Sequence, residues 1–172
     1  MAWGFAANEN PPVLKTHDRF GHRIDEVEFH PAWHELMRLS CEAGLHARPW
    51  GEPRAGAHVA RAAKMMLASQ NEFGHGCPIS MTYSAYPALQ RQPDLFAEWG
   101  PRIVRERYDP RFLPASEKQG ALVGMAMTEK QGGSDVRANT TRAVALGAPG
   151  PGREYALTGH KWFCSAGRQR PS

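Results

Sequence analysis

Residues 126–138 read Ala-Met-Thr-Glu-Lys-Gln-Gly-Gly-Ser-Asp-Val-Arg-Ala, and this stretch decides how the rest of the chain is interpreted. An apolar run leads into it, and the bend is built on Gly132 and Gly133. Adjacent glycines permit positive φ angles and let the backbone approach a ligand closely. The hydroxyls of Thr128 and Ser134 flank the bend and can donate to a flat polar ring or a phosphate. On composition alone, the stretch also fits a polar β-turn after a strand.

The stretch resembles the flavin-contacting motif of acyl-CoA dehydrogenases. In that motif a small and an aliphatic residue precede Ser/Thr-Glu, and Gly-Gly-Ser/Thr-Asp follows after two variable residues. Every specified position is met, namely Ala126, Met127, Thr128, Glu129, Gly132, Gly133, Ser134, Asp135 and Ala138. Residues 158–165, Thr-Gly-His-Lys-Trp-Phe-Cys-Ser, resemble a later strand of the same family. The loop residues Lys130 and Gln131 are most similar to the AidB-like branch, the DNA alkylation-response flavoproteins.

Segments nearer the N-terminus are also similar to that branch. They are Asn10-Pro11-Pro12, residues 16–19, residues 29–34 and residues 77–82. The resemblance extends to about Ala166, whereas residues 167–172 depart from the family pattern. Because members of the family continue well beyond this length, we hypothesise a truncated or frameshifted reading frame. The DNA downstream of the Ser165 codon is the observation that decides this point.

Composition sets the broad class of the protein. The chain has 172 residues and 41% hydrophobic residues, which is enough for a folded domain and a fraction of a second one. The net charge of +4 is compatible with anionic partners, but the basic residues form no run. The three cysteines match neither a zinc pattern nor a disulfide framework. With no secretory signal and no long apolar stretch, we expect a cytoplasmic protein without a membrane span.

The sequence predicts an α+β fold in three parts. Residues 1–29 are predicted to be an extended N-terminal arm, residues 30–115 a helical domain, and residues 116–172 the incomplete start of an antiparallel β domain. Helices are predicted from Pro31 to about residue 44, over 54–73, from Pro78 and over 93–108, with a turn at 49–53. Strands are predicted over 121–128, 139–146, 154–158 and 160–165.

The resemblance implies an FAD-dependent oxidoreductase that acts on CH–CH bonds of acyl-CoA thioesters. By motif, the resemblance implies that Met127 and Thr128 approach the pyrimidine edge of the flavin, and that Gly133 and Ser134 reach its pyrophosphate. It also implies that Phe163 stacks on the ring and that Ser165 forms a hydrogen bond near N5. Trp162 is an alternative to Phe163, and both aromatics also fit a protein core.

No catalytic residue is assigned in this chain. The family takes its catalytic base from its C-terminal domain, and a glutamate at the position of Glu129 is more often a turn-stabilising acceptor. We therefore expect a chain that is inactive alone. His30 and His34 are four residues apart, but no third ligand is evident and no metal site is predicted. Residues 77–82 are expected either to border the acyl pocket or to form a buried helical turn.

A second functional class stays open beside the dehydrogenase. It is a DNA-associated alkylation-response flavoprotein, or a fragment of one, with little or no dehydrogenase activity. In the resembled branch DNA contact is attributed mainly to a basic C-terminal region, so the expectation of DNA binding is weak here. The family also implies homo-oligomers and a small-molecule partner, an acyl-CoA or a related compound.

The expected incompleteness of the β domain yields a testable prediction. Strands without neighbours expose unpaired N–H and C=O groups, which promote association between chains. We expect the chain expressed alone to be marginally stable and to aggregate. Thermal unfolding followed together with light scattering measures both properties. A sharp, reversible transition of a monomer would contradict the prediction.

Overall fold

Helices occupy the middle of the chain, with short antiparallel strands on either side of them. The computed structural model describes residues 1–165. In chain order its elements are α1 (Ala2–Glu9), β1 (Val13–His17), β2 (Arg23–Glu28), α2 (Pro31–Glu42), α3 (Arg48–Gly51), α4 (Ala57–Ser69), α5 (Gly76–Leu89), α6 (Pro93–Ile103), β3 (Arg142–Ala145) and β4 (Tyr155–Thr158). The α+β class is confirmed. Within residues 1–165 no helix is long and apolar enough to cross a membrane.

The described residues divide into two compact units, residues 1–123 and residues 124–165. The first unit contains the six α-helices of the described residues and the β1–β2 hairpin. The second contains the glycine-rich loop and the β3–β4 hairpin. Residues 167–172, which depart from the family pattern, lie outside the described residues.

Prolines mark the start of several helices. Pro31, Pro49 and Pro93 each lie in the first turn of their helix, where the missing N–H costs nothing because that group has no intrahelical partner. At the start of α2 the His30 ring nitrogen Nδ1 also accepts a hydrogen bond from the Ala32 amide at 3.1 Å. The predicted helix start at Pro31 is therefore confirmed.

Two apolar clusters form the core of residues 1–123. The first joins the inward face of α2 to α5 through Met37, Cys41, Leu45 and Ile79. The second surrounds Ala47, Tyr86 and Ile103, and the side chains of Trp50, Phe96 and Trp99 pack against it. Burial of these large side chains drives the folding of the helical unit, at roughly 25 cal/mol per Å² of apolar surface.

The helix α4 packs by a different face from the one that its sequence suggests. In the sequence of this helix, Val59, Met66 and Leu67 lie at helical spacing and suggest an apolar stripe, but all three are exposed. Instead, Met65 and Ala68 pack against the first core cluster. Met65 lies about 100° around the helix from Met66, because successive residues of an α-helix differ by that angle. Because small alanines lie on both faces of α4, the sequence pattern does not determine which face is buried. Packing against the other helices determines it.

Other boundaries also differ from the predictions. The extended arm predicted over residues 1–29 contains α1 and the β1–β2 hairpin. Gly4 lets α1 lie against the backbone near Asn71, because a Cβ at Gly4 would lie 2.0 Å from the Asn71 carbonyl oxygen. The turn predicted over 49–53 includes the short helix α3, and the helix predicted over 93–108 ends at Ile103.

The two hairpins are antiparallel. In the first, Val13 lies opposite Glu28, with an irregularity between Lys15 and His17. In the second, Arg142 lies opposite Thr158 and Ala145 opposite Tyr155. The strands predicted over 139–146 and 154–158 are thus confirmed in shorter form. The strand predicted over 121–128 is wrong, because its residues form one isolated bridge, at Met125.

Polar side chains hold residues 109–123 to the helical unit. The buried Asp109 carboxylate accepts the amides of Arg111 and Gln119, both at 3.1 Å. The Arg111 guanidinium holds the pKa of this carboxyl well below its usual range. The Thr82 hydroxyl, which is 0% exposed, donates to the Pro78 carbonyl at 2.8 Å and accepts the Val123 amide at 3.0 Å. This tertiary bond explains why residues 121–123 are not a strand.

We predict that Thr82→Val destabilises the helical unit. Valine has the same shape but leaves the buried Val123 amide without its acceptor, which costs about 1–3 kcal/mol. Ser84→Ala is the matched control, because the exposed Ser84 hydroxyl makes the same helical bond, to Ser80 at 2.9 Å, and no other within residues 1–165. Urea unfolding measures both variants. Equal effects of the two substitutions would show that the bond to Val123 contributes nothing.

Candidate functional site

The glycine-rich loop lies beside the later sequence block in the second unit. The amide of Met125 donates to the Ser165 carbonyl at 2.6 Å, and the Ser165 amide returns a bond to Met125 at 3.0 Å. The Trp162 amide donates to the Thr128 carbonyl at 2.9 Å. The two segments of family resemblance, which residues 139–157 separate in sequence, are therefore neighbours in space.

The pairing of these segments is interrupted. Bridges occur at Met125–Ser165 and Glu129–Lys161, so the strand predicted over 160–165 is wrong. The physical reason is Phe163, whose φ of +44° belongs to the left-handed region and not to an extended strand. A residue in that region turns its side chain away from the position that a regular ladder would give it.

The Glu129 carboxylate is the centre of this unit. Its residue is 1% exposed. Five hydrogen-bond donors surround it: the Gln131 amide Nε2 at 3.0 Å, the Thr140 backbone amide at 2.6 Å, the Thr140 hydroxyl at 3.1 Å, the Thr141 backbone amide at 2.9 Å and the Lys161 ammonium at 3.0 Å. A buried carboxylate needs such donors, because burial of an unpaired charge is costly. Glu129 thus joins three separate segments of the chain.

These donors determine the chemistry of Glu129. The hydrogen bond from Gln131, together with the amides of Thr140 and Thr141, holds the pKa of the Glu129 carboxyl far below its usual range. A carboxylate stabilised in this way is a poor proton acceptor near neutral pH. The expectation that Glu129 stabilises the turn and is not a catalytic base agrees with this geometry.

Glycine is required at specific points of the motif. Gly132 has a φ of +139°, which side chains rarely permit. A Cβ at Gly133 would lie 3.2 Å from the Thr128 hydroxyl, so the two arms of the loop are close together. In the later block, a Cβ at Gly159 would lie 2.2 Å from the Thr141 hydroxyl. The glycines therefore serve both to form the bend and to let the segments approach one another.

The loop residues predicted to contact flavin are accessible. Met127 is 47% exposed, and Thr128 is half-buried. The Met127 carbonyl accepts the Asn139 side-chain amide at 2.9 Å and the Lys161 ammonium at 3.4 Å, so its backbone is fixed. Gly133 and Ser134 are exposed, and neither donates a hydrogen bond to another group in residues 1–165.

The later block presents two aromatic rings. Phe163 is 72% exposed and Trp162 is also exposed, so neither ring belongs to an apolar core within residues 1–165. Their rings meet edge to face with centroids 6.3 Å apart. The Trp162 ring also stacks on His160 at 6.1 Å. Ser165 is half-buried and uses its backbone in the pairing with Met125.

Sequence reasoning missed the groups that hold the loop in place. The strand predicted over 139–146 begins with Asn139, Thr140 and Thr141, yet in the structure these residues bind Met127 and Glu129. Lys161 belongs to the later block, but nothing in the sequence indicates that its ammonium pairs with Glu129. The one signal in the sequence is Asn139, because asparagine is depleted in strands, whereas threonine is favoured there.

The other candidates of the sequence analysis have protein partners in the first unit. His30 caps α2, and the His34 ring lies 2.7 Å from the Tyr108 hydroxyl. In the part of the chain that the structure describes, no group of three His, Cys, Asp or Glu residues is arranged for a metal ion. Of residues 77–82, Ile79 and Thr82 are buried and Cys77 is exposed.

Comparison with known families decides the classification. Residues 1–110 match the family model of the adaptive response protein AidB N-terminal domain. The chain belongs to the AidB family. Two relatives extend this result beyond the N-terminal domain. AidB of Escherichia coli (strain K12) is 51% identical over 164 residues, and acyl-CoA dehydrogenase family member 11 of Caenorhabditis elegans is 30% identical over 167 residues.

Solved structures agree with the AidB assignment. The apo form of Bd2924 is similar with a TM-score of 0.72 at 28% identity, and C. elegans ACDH-11 in complex with C11-CoA with a TM-score of 0.70 at 27% identity. Each similarity covers 94% of this chain. The AidB-family chain spans 30% of the length of E. coli AidB, 26% of the C. elegans relative and 31% and 26% of the two solved chains. Its fold and family are those of acyl-CoA dehydrogenase-like proteins.

We predict that Glu129→Gln loosens the loop without unfolding the helical unit. The neutral amide loses the ion pair with Lys161 and turns a donor toward backbone amides that need an acceptor. Hydrogen exchange should show protection of the Thr140, Thr141 and Trp162 amides reduced by about tenfold or more. Glu154→Gln, which removes an exposed charge from the same unit, should leave these amides unchanged.

The same measurement has a pH dependence of known sign. Because the folded-state pKa of Glu129 lies below its unfolded value of about 4.3, its stabilisation is present above that pH and is lost as the pH falls further. Protection corrected for intrinsic exchange should therefore decrease below about pH 4.3 in the parent protein and stay level in Glu129→Gln. A level profile in both proteins would refute the role of the charge.

Proposed function

We propose that this chain supplies part of the FAD site of an acyl-CoA dehydrogenase-like oxidoreductase. One observation supports the proposal: the segment that contains Met127, Thr128, Gly133 and Ser134 is hydrogen-bonded to the segment that contains Phe163 and Ser165. These bonds join Met125 to Ser165, Thr128 to Trp162, and the buried Glu129 to Lys161. Ligand sites need groups that are both positioned and accessible. The membership in an acyl-CoA dehydrogenase-like family supports the same conclusion.

The residues present fit an isoalloxazine ring and its phosphate chain. Exposed Phe163 offers a flat apolar face, and the side chains of Met127 and half-buried Thr128 are suited to the pyrimidine edge. The uncommitted amides of Gly133 and Ser134, with the Ser134 hydroxyl, are suited to the pyrophosphate. Ser165 can donate to a ring nitrogen through its hydroxyl. Trp162 is the alternative stacking residue, since its ring is also exposed.

Backbone strain supports the choice of Phe163. A left-handed φ is rare for an aromatic residue and costs of order 1–3 kcal/mol. Phe163 nevertheless adopts a φ of +44° in a segment paired at both Lys161 and Ser165. Strain of this kind is common at ligand sites, where it presents a side chain that regular structure would direct elsewhere.

The proposed reaction is oxidation of a CH–CH bond in an acyl-CoA thioester. When bound, FAD would be the group that accepts the hydride from the substrate. The ACDH-11 structure with C11-CoA supports the substrate class. Removal of the α-proton needs a base, and we propose that no residue of this chain provides it. Glu129 is excluded because its carboxylate is already bound by five donors.

We predict weak but saturable binding of FAD to this chain. Half of a binding site loses the affinity that the missing contacts would add, so a Kd above about 10 µM is expected. Phe163→Leu should weaken binding roughly 3- to 10-fold, because leucine keeps the apolar character but cannot stack. Phe73→Leu is the matched control, since Phe73 is 73% exposed and Phe163 is 72% exposed. Quenching of flavin fluorescence measures the affinity.

Two results would contradict this proposal. One is the absence of saturable FAD binding up to about 1 mM, a range that covers even very weak specific sites. The other is dye reduction by acyl-CoA and FAD that requires Glu129, since that would make Glu129 the base. We expect no such turnover from this chain, in the parent protein or in Glu129→Gln.

A further inference from the structure

A small cationic pocket lies in the helical unit. It has a volume of about 60 Å³ and is enclosed by the first half of α4 and the chain segment 43–54. Four basic side chains line it, namely Arg48, Arg54, Arg61 and Lys64. Like charges brought together around a small space repel one another, so such a cluster calls for anions to compensate it.

The protein compensates only part of this charge. Arg48 forms an ion pair with Glu106, and Glu52 is the one carboxylate that lines the pocket. The four basic side chains thus have two carboxylates near them, Glu52 in the lining and Glu106 as the partner of Arg48. Two of the four positive charges are therefore not compensated by these carboxylates. Arg54 forms no ion pair within residues 1–165 and stays available to a ligand.

Arg61 is the most constrained of the four cations. Its Nε donates to the Leu45 carbonyl at 3.0 Å, and its guanidinium lies over the Tyr83 ring at 4.1 Å. Its Nη2 is buried and has no hydrogen-bond partner in residues 1–165. Burial lowers the pKa of Arg61, because loss of water penalises the charged form. The guanidinium is therefore fixed in orientation and has a donor still to be satisfied.

The remaining wall of the pocket is also rich in donors. The Lys64 ammonium donates to the Ala43 carbonyl at 3.1 Å, which positions it on the face of α4 that lines the pocket and leaves two further protons. Ala57 and Ala60, from the first turn of α4, complete the wall without adding bulk. The donors therefore come from several directions around a small volume.

We propose that this pocket binds a single phosphate group. A tetrahedral oxyanion accepts hydrogen bonds in several directions, which suits donors from Arg54, Arg61 and Lys64 better than one planar carboxylate does. The phosphate belongs either to a free nucleotide, including the nucleotide portion of a coenzyme, or to a polynucleotide backbone. This inference concerns residues 1–123 and is independent of the FAD proposal, whose residues all lie in residues 124–165.

Thermal unfolding in inorganic phosphate tests the proposal, with chloride used to keep the ionic strength constant. We expect the unfolding midpoint to rise with phosphate concentration, and above the Kd to rise with its logarithm, as for any ligand that binds only the folded state. Arg54→Gln should weaken the apparent phosphate affinity about fivefold or more, since one charge-assisted bond is lost. Arg91→Gln removes the same charge from an exposed site outside the pocket and should change the affinity less than about twofold.

Lys64→Gln provides a second variant on a different side of the pocket and should behave like Arg54→Gln. The proposal is overturned if phosphate acts no differently from chloride, or if Arg54→Gln and Lys64→Gln retain the parent affinity. Loss of affinity in Arg91→Gln equal to that in Arg54→Gln would also overturn it, because the effect would then be general electrostatics.

Two further ligands separate the sources of the phosphate. Tighter binding of adenosine 3′,5′-bisphosphate than of inorganic phosphate, with a shallow salt dependence, identifies a free nucleotide. Tighter binding of a short DNA duplex, with a steep salt dependence that Arg54→Gln reduces by about one unit of slope, identifies a polynucleotide. Both results support the phosphate pocket, and each assigns it to one source.

Discussion

The second unit of this chain depends on the burial of one carboxylate. Glu129 accepts bonds from a loop side chain, from the backbone at Thr140 and Thr141, and from Lys161. The β3–β4 hairpin offers little apolar burial, since Val144 and Leu157 are both exposed. A charge that must be satisfied when buried therefore determines how these segments meet, where an apolar core would do so in a larger domain.

This arrangement separates a fixed interior from an accessible surface. The groups that bind Glu129 and the Met127 carbonyl are committed to the protein, whereas the Met127 side chain, Ser134 and Phe163 face solvent. The motif Thr-Glu-x-x-Gly-Gly-Ser-Asp thus has a physical division of roles. Its glutamate and glycines make the shape, and its hydroxyls, amides and neighbouring aromatics remain for a ligand. The acidity of Glu129 follows from the same bonds that make it structural.

The sequence predicts those parts of the fold that depend on interactions between residues close together in the chain. Pro31 and Pro93 start helices because their rings fit the first turn, and strands form within the predicted segments 139–146 and 154–158. The face by which α4 packs, the position of α1 near Asn71 and the partners of Glu129 depend on contacts between distant residues. The same holds for the left-handed Phe163. Periodicity cannot reveal these features, and the family resemblance predicts the residues of a flavin site without giving their geometry.

The central claim is that Glu129 is a permanently charged structural anchor and not a proton acceptor. A pH titration of the Glu129 side-chain carboxyl by ¹³C NMR tests it most directly. The account predicts that the Glu129 signal stays that of a carboxylate to well below pH 4.3, about the ordinary pKa of a glutamate in an unfolded chain. A Glu129 carboxyl that becomes protonated at or above about pH 4.3 would contradict the account.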